Sequence, residues 1–352
     1  MWSILSATVF FVTILAQHPA SYAQQEPIPG LYEPYNKQQG PDPPYPGNRK
    51  DPILPTSSDP PAPDDALFQS LAAAEWTILD FYNSALRRFK SEDFTELGFP
   101  NDTFDRIQEI RNNEAGHVQI TLDMISDAST KPGPCQYNCN ISTPMEFITR
   151  QTLIEASGPA FLPGLTSQAK EPRSQGVITS LSQIEVRHGT WSTMALFNAN
   201  PFTGPADTLY PYPMQILSQV AAYIIPGSCP KNNPPFPNPP QRAATMISNP
   251  PFPQAGDEVQ FVFPVPQQQP KFEEGKEYYV VYFHALGNLT RRFDVESGKS
   301  RIPAEFDKGK GVIIAAIADE EGAGREESVV AGPLLMLQQP DLGRVASSGG
   351  KM

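Results

Sequence analysis

The first half of the chain places hydrophobic residues at intervals of three and four, which is the period of an amphipathic helix. The first such stripe follows Asp64 and Asp65, acidic residues that suit a helix start. The pattern predicts four long helices and a fifth, more apolar one, at about 64–88, 102–128, 143–157, 173–197 and 214–225. It therefore predicts an all-α four-helix bundle for this part of the chain.

The third predicted helix has the clearest boundaries. Thr143, Pro144 and Glu146 supply an N-cap, a proline at the first helical position and the glutamate of a capping box. The pair Gly158-Pro159 predicts that the helix ends or kinks there, because proline lacks a backbone N–H and crowds the preceding turn.

Beyond residue 255 the pattern changes to short alternating or β-branched runs separated by turn residues. The runs occupy residues 258–263, 277–284, 311–317 and 328–337. Strands of this length and spacing predict a small antiparallel, sandwich-like β-domain over 255–340, followed by a flexible tail at 341–352.

Proline marks the borders of these regions. The 40 prolines cluster in residues 25–63 and 226–253, where they disfavour both helix and sheet. We therefore expect a disordered proline-rich segment at 24–63 and a proline-rich linker at 230–254. The helical bundle is then expected to occupy residues 64–229.

The N-terminal residues have the pattern of a secretory signal peptide. An apolar run from Ile4 to Ala16 precedes small residues at Ser21 and Ala23, which predicts removal of residues 1–23. This run is too short to span a bilayer and no later run is long enough, so we expect a secreted protein, extracellular or in the cell wall. Three sequons agree with that route and predict glycosylation at Asn101, Asn140 and Asn288.

Three cysteines allow one disulfide in an oxidising compartment and leave one free thiol. A bond between Cys135 and Cys229 is favoured because it would close a long segment of chain. The sequence leaves the pairing open, since Cys139 is also present.

The net charge of -12 and a pI near 4.9 argue against a nucleic-acid partner. Binding to nucleic acid depends on clustered lysine and arginine that meet phosphates.

The candidate chemistry lies on the predicted helices. Two of the four histidines follow a glutamate by three residues, in Glu114-Ala-Gly-His117 and Glu185-Val-Arg-His188, so each pair shares one helix face. Glu75 interrupts the apolar stripe of the first helix, and we expect a second lone glutamate near the end of the third helix, Glu155. The order Glu, Glu-x-x-His, Glu, Glu-x-x-His on four successive helices is the arrangement by which bundles hold a pair of metal ions.

Charge supports this interpretation. Four carboxylates and two neutral imidazoles around two divalent ions sum to zero, which a buried site tolerates better than four bare carboxylates. The alternative is that the glutamates are protonated or paired with arginine, with Arg111 and Arg187 available. Mixed carboxylate and imidazole ligands favour iron or manganese, and hence redox chemistry. Tyr82, two turns after Glu75, is interpreted as core with a satisfied hydroxyl, the alternative being a hydrogen-bond donor at the site or a redox-active tyrosine.

Four segments carry a resemblance to a known family: LAAAEWTILDFY, EIRNNEAGHVQ, RQTLIEASGPAFL and LSQIEVRHGTWS. The chain resembles the ferritin-like superfamily over about 64–229 and, within it, the fungal Rds1-type stress-response proteins, which are akin to desiccation-related proteins. The resemblance implies a ferritin-like fold and a di-iron or di-manganese site at the six positions Glu75, Glu114, His117, Glu155, Glu185 and His188.

Two functions remain open at this level. The first is a secreted dimetal oxidoreductase, catalase-like or ferroxidase-like, that acts on a small oxidant such as peroxide or dioxygen in stress protection. The second is a non-enzymatic wall or spore-surface protein with a structural or vestigial metal site, whose β-domain contacts an extracellular partner. Metal sequestration without turnover is a third, and the sequence leaves the oligomeric state undetermined.

Overall fold

The computed structural model describes residues 46–47, 49–202, 209–236, 243–264, 269–284, 287–306, 311–338 and 340. The predicted signal peptide and the predicted C-terminal tail lie outside the described residues, as does most of the first proline-rich segment. The helices in this part of the chain are α1 (Asp65–Arg88), α2 (Ser91–Thr95), α3 (Thr103–Asp123), α4 (Pro144–Gln168), α5 (Pro172–Trp191) and α6 (Pro213–Val220). Among the described residues, no helix combines the length and the apolar character needed to cross a bilayer.

The four long helices pack in two main pairs, α1 along α3 and α4 along α5. The predicted capping box at the start of α4 is confirmed: the Glu146 N–H donates to Thr143 Oγ1 at 3.1 Å, and the Thr143 N–H donates to Glu146 Oε2 at 3.3 Å. These two bonds satisfy backbone donors that a helix start leaves without partners.

The predicted end of this helix at Gly158-Pro159 is wrong. α4 continues through Pro159 and Pro163 to Gln168. The turns beyond Pro159 bury Phe161, Leu162 and Leu165 in the core, and this burial offsets the backbone hydrogen bonds that the two prolines remove.

Three other helix ends also differ from the prediction. α3 ends at Asp123, before the predicted 128. α5 ends at Trp191 and passes into a π-helical turn, Ser192–Leu196. α6 ends at Val220 and is followed by the 3-10 turn Ala221–Tyr223. Hydrophobic spacing does not distinguish these wider and tighter turns from regular helix.

The C-terminal region forms two antiparallel sheets, as expected for a sandwich. Its strands are β1 (Ile247–Asn249), β2 (Glu258–Val262), β3 (Tyr279–His284), β4 (Gly287–Arg292), β5 (Lys299–Arg301), β6 (Val312–Ala318) and β7 (Val329–Leu337). One sheet has the order β1-β2-β5 and the other has the order β4-β3-β6-β7. The sequence patterns missed the short strands β1, β4 and β5, and β1 lies inside the segment predicted as a linker.

β6 shows how the sheet is sandwiched, because all seven of its residues are buried. Val312, Ile314 and Ala316 belong to the same hydrophobic cluster as the bundle residues Phe161 and Leu165. The alternate residues Ile313, Ala315 and Ile317 join a second cluster with Val259 and Phe261 of β2. Since side chains alternate across a strand, one face of the four-stranded sheet packs on the bundle and the other on the smaller sheet.

Two acidic side chains fix the start of α1 to other corners of the bundle. Asp64 accepts hydrogen bonds from the N–H groups of Lys170 (2.9 Å) and Glu171 (3.0 Å), in the turn between α4 and α5. Asp65 accepts from the N–H (2.8 Å) and the hydroxyl (2.5 Å) of Ser126, just after α3. Burial alone would raise the pKa of both carboxyls, but these hydrogen bonds outweigh it and lower the pKa of each.

We expect Asp65→Asn to lower the free energy of unfolding at neutral pH by about 1–3 kcal/mol, because the amide places unmatched N–H groups in this buried turn. The folded-state pKa of Asp65 is lowered. Its contribution to stability is therefore present above the unfolded-state pKa of about 4 and is lost as the pH falls through the folded-state pKa. Urea unfolding should show that the variant loses less stability than the parent protein between about pH 6 and pH 3.

Asp123→Asn is the matched control. Asp123 is exposed at the end of α3 and accepts one hydrogen bond, from Gln119 at 2.8 Å. Its replacement should leave the acid sensitivity of the parent unchanged. Equal acid sensitivity in Asp65→Asn and the parent would contradict the role given to Asp65.

Candidate metal centre

All six predicted site residues lie in the interior of the bundle. Glu75 is near the middle of α1, Glu114 and His117 lie on α3, Glu155 lies on α4, and Glu185 and His188 lie on α5. Their exposed fractions are between 0% and 6%. Glu155 lies mid-helix, not near a helix end as expected, because α4 continues to Gln168.

Glu114 and Glu185 lie between the two histidines. Glu114 places Oε2 3.3 Å from His117 Nδ1 and Oε1 3.2 Å from His188 Nδ1. Glu185 places Oε1 3.0 Å from His117 Nδ1 and Oε2 3.9 Å from His188 Nδ1. Each of these carboxylates therefore presents one oxygen to each imidazole, which is the position of a bridging ligand.

Glu75 and Glu155 each lie on one side of this arrangement. Glu75 Oε2 is 3.8 Å from His117 Nδ1, and Glu155 Oε2 is 3.1 Å from His188 Nδ1. The two imidazole rings lie 6.3 Å apart, centroid to centroid, and 29° from parallel. The site thus has two similar halves, each with one histidine and one outer glutamate, that share the two inner glutamates.

Several buried polar atoms at the site have no hydrogen bond of acceptable geometry in the described structure. They are Glu75 Oε2, both carboxylate oxygens of Glu114 and both ring nitrogens of His117. A buried acceptor without a donor is costly, and a cation would satisfy several of these lone pairs at once. Two groups have potential ligand atoms within 4.8 Å of one another, Glu75 with Glu114 and His117, and Glu114 with Glu155, Glu185 and His188. The residues present therefore fit two neighbouring cations that share Glu114.

The protonation of the site follows from crowding of negative charge in the interior. Burial raises the pKa of Glu75 well above its ordinary value, and the neighbouring Glu114 and Glu185 add to this, although His117 acts in the opposite direction. Burial raises the pKa of Glu185 to about 7, with a further increase from Glu155. Without metal, the site therefore holds protons that divalent ions would displace.

Neighbouring carboxylates also raise the pKa of the two imidazoles. Burial alone would lower the pKa of His188, but Glu155 and Glu114 outweigh it and raise that pKa to about 10. Burial opposes the charged form of His117 as well, and Glu114 again prevails and raises the pKa. Arg187 is exposed, as its place two residues after Glu185 predicts, and does not reach into the site.

Tyr82 is a core residue with a satisfied hydroxyl, as interpreted from the sequence. The hydrogen-bond acceptor of that hydroxyl is Glu155, one of the six site residues. Tyr82 is fully buried and its hydroxyl donates a short hydrogen bond to Glu155 Oε1. The sequence signal for this contact was the position of Tyr82 two turns after Glu75, on the same helix face. That spacing is equally typical of a core tyrosine with no role at a site. The sequence reasoning did not single out Gln151 and Ser192, which are joined by a 2.8 Å hydrogen bond one turn from Glu155 and His188.

Two glycines bring α4 and α5 together at the ligands. A Cβ atom added at Gly158 would lie 2.9 Å from Cγ of Glu185, and one added at Gly189 would lie 3.2 Å from the carbonyl oxygen of Glu155. Each glycine therefore faces a ligand residue on the opposite helix. The close approach of the two backbones sets the position of both glutamates.

Comparison with known proteins agrees with this geometry. Residues 64–198 match the family model described as a ferritin-like domain. The helical region of this chain is therefore a ferritin-like domain. A bundle that buries Glu and His residues in this arrangement is typical of that class.

A particular relative narrows the class. The chain is 31% identical over 109 residues to Protein rds1 of Schizosaccharomyces pombe, a match that covers 29% of this chain and 27% of that protein. The match spans little more than a quarter of the length of that curated relative, so it shows a similarity to an Rds1 protein over part of the chain.

We expect Gly158→Ala to displace Glu185 and to weaken manganese binding at least tenfold, while lowering the free energy of unfolding by about 1–3 kcal/mol through overpacking. Gly176→Ala on α5 is the matched control, because a Cβ atom there meets nothing within 4 Å. The control should be slightly stabilised, by about 0.5–1 kcal/mol. Urea unfolding and manganese titration measure both effects, and identical behaviour of the two variants would contradict the positioning role of Gly158.

Proposed function

We propose that this chain is a secreted protein whose ferritin-like domain binds two iron or manganese ions and carries out redox chemistry on peroxide or dioxygen. The observation that carries the proposal is the pair of buried ligand groups that share Glu114, with oxygens and nitrogens that lack hydrogen bonds. Four carboxylates and two imidazoles are hard and intermediate donors, a set that favours iron and manganese.

When bound, such a metal pair would supply electron transfer to a small oxidant. The chain supplies the geometry. Glu114 and Glu185, which lie between His117 and His188, would hold the ions together with the two histidines, and the Tyr82 hydroxyl holds Glu155 through the proton that it donates to Oε1. An oriented outer ligand of this kind tunes a metal site.

A polar recess supports access by a small oxidant. It opens between α3 and α5, and its walls include Asn113, Arg187 and Trp191, with His188 at its inner end. Water, peroxide and dioxygen are small enough to use such a path. Such a path supports a catalytic metal site, which keeps an open coordination position, over a closed structural one.

Two observations support the secretory part of the proposal. The structure joins Cys135 to Cys229 by a disulfide and leaves Cys139 as a buried free thiol. Disulfides persist mainly in oxidising compartments. The sequons start at exposed asparagines, Asn101, Asn140 and Asn288, which are open to glycosylation. The protective role under oxidative or drying stress comes from the resemblance to Rds1-type proteins and is part of the proposal.

The protein purified from a secreting host should contain about two iron or manganese ions per chain by elemental mass spectrometry. Glu114→Ala combined with Glu185→Ala should lose them, because both bridging positions are removed. Asp123→Ala with Gln183→Ala is the matched control, since these two side chains lie on the same helices but outside the site and outside the lining of the recess.

The metal-loaded parent should also disproportionate peroxide, or reduce dioxygen with divalent iron as the electron donor, and the site variant should not. Bound metal without turnover would contradict the redox function and favour metal sequestration or a structural site. Absence of metal from the parent would contradict the whole proposal and favour a non-enzymatic wall or spore-surface protein.

A further inference from the structure

A buried amide lies one turn before the candidate ligand Glu155 on α4. Gln151 and Glu155 are four residues apart, so they share one face of the helix, and both side chains are fully buried. Gln151 Oε1 accepts a hydrogen bond from the Ser192 hydroxyl at 2.8 Å, whereas Nε2 has no hydrogen bond of acceptable geometry within the part of the chain that the structure describes. A buried N–H donor without an acceptor lowers the stability of the fold, so stability alone does not account for this amide.

Ser192 fixes the direction in which the Gln151 amide points. Its hydroxyl lies 2.8 Å from Gln151 Oε1 and 3.1 Å from the carbonyl oxygen of His188, one turn earlier on α5. Ser192 is fully buried and begins the π-helical turn Ser192–Leu196. The amide oxygen therefore faces Ser192, and the amide nitrogen, on the other branch of the same planar group, faces away from it.

The Tyr82 hydroxyl lies on the nitrogen side of this amide. Tyr82 is fully buried and donates a short hydrogen bond to Glu155 Oε1. Burial raises the pKa of Tyr82 well above its ordinary value, with a further increase from Glu155, while the Gln151 side chain acts in the opposite direction. A polar neighbour that lowers the pKa of a phenol is a hydrogen-bond donor, and Nε2 is the donor atom of Gln151.

The direction of each hydrogen bond follows from the number of protons available. The Tyr82 hydroxyl has one proton to donate, and its oxygen has lone pairs that accept. When Gln151 Nε2 donates to that oxygen, the hydroxyl keeps its own proton for Glu155 Oε1. The other carboxylate oxygen, Glu155 Oε2, then remains turned toward His188 Nδ1, 3.1 Å away.

We propose that Gln151, oriented by Ser192, is a positioning residue that donates from Nε2 to the Tyr82 hydroxyl and thereby fixes Glu155 for the ion beside His188. The inference deepens the proposed function, on which it rests for the presence of metal. Gln151 acts through Tyr82 and Glu155 and is not itself one of the candidate ligands.

The effect is confined to one half of the site. Glu155 belongs to the ligand group of His188, and the group around His117 does not include it. On the His117 side, the outer glutamate lacks comparable support, because Glu75 Oε2 has no hydrogen bond of acceptable geometry in the described structure. Loss of the Gln151 donor should therefore weaken the binding of one ion and spare the other.

Two variants remove the proposed positioning bonds, and a third is their control. Gln151→Met keeps the length of the side chain without its polar end, and Ser192→Ala removes only the hydroxyl that orients the amide. Gln215→Met is the matched control, because Gln215 is also a buried glutamine, its Oε1 accepts from the Tyr210 hydroxyl at 2.5 Å, and it lies outside both ligand groups. Both methionine variants remove a buried amide, so a loss of stability alone does not distinguish them.

Manganese titration of the full-length proteins, followed by electron paramagnetic resonance of the free ion, measures the effect on each half. We expect the parent and Gln215→Met to bind two ions with the same affinities. Gln151→Met should bind one ion at least tenfold more weakly and change the affinity for the other by less than about twofold. Ser192→Ala should show the same split to a smaller extent. Unchanged affinities in Gln151→Met, or equal weakening of both ions, would overturn the proposal.

Proton NMR of the metal-free proteins tests the step from Gln151 to Tyr82 separately. The Tyr82 hydroxyl proton, held in a short hydrogen bond to a carboxylate, should give a downfield resonance that Tyr82→Phe removes. Gln151→Met and Ser192→Ala should shift this resonance, and Gln215→Met should leave it in place. An unshifted resonance in Gln151→Met would overturn the positioning role. A shifted resonance in a protein that binds no manganese would support the hydrogen-bond step and contradict the proposed function.

Discussion

The burial of four carboxylates and two imidazoles in one helical bundle is the constraint on which the rest of the structure depends. A lone buried carboxylate costs several kcal/mol, and four of them around two histidines leave oxygens and nitrogens without hydrogen bonds. Two divalent cations would cancel the charge and occupy those lone pairs. The buried Glu and His cluster of the bundle is therefore suited to hold metal ions.

Several features far apart in the sequence serve this arrangement. Gly158 and Gly189 let α4 and α5 approach closely enough to set Glu155 and Glu185 opposite one another. The Tyr82 hydroxyl, supplied by α1, holds Glu155 on α4. Asp64 joins the start of α1 to the turn between α4 and α5. The site is thus fixed by contacts between helices, and not by any one of them.

The β region adds to this support through α6. The side chains of Tyr212, Gln215 and Gln219 all donate hydrogen bonds to backbone carbonyls of the β region, at Ala323, Glu326 and Pro333. α6 in turn supplies Ile216, Leu217 and Val220 to the wall of an apolar cavity between α1, α4 and α6. The β region and the bundle share one hydrophobic cluster, so the four-stranded sheet supports α6 and the wall that it forms.

Much of the fold and of the candidate site was predictable from the sequence, and the features that were missed have physical causes. Glu114 with His117 and Glu185 with His188 are evident because helical periodicity puts residues three apart on one face. The distinction between the bridging Glu114 and the outer Glu75 depends on how helices pack, which linear spacing does not contain. The passage of α4 through Pro159 was missed because tertiary burial outweighs a local signal. β1, β4 and β5 were missed because their short, exposed segments lack a hydrophobic alternation.

The most direct test of the central claim is anomalous X-ray diffraction from crystals of the purified protein, recorded on both sides of the iron and manganese absorption edges. The account predicts two anomalous peaks a few ångströms apart, one beside His117 and one beside His188, with Glu114 and Glu185 between them. A well-ordered site without anomalous signal, with the carboxylates joined only by hydrogen bonds to one another and to the histidines, would contradict it.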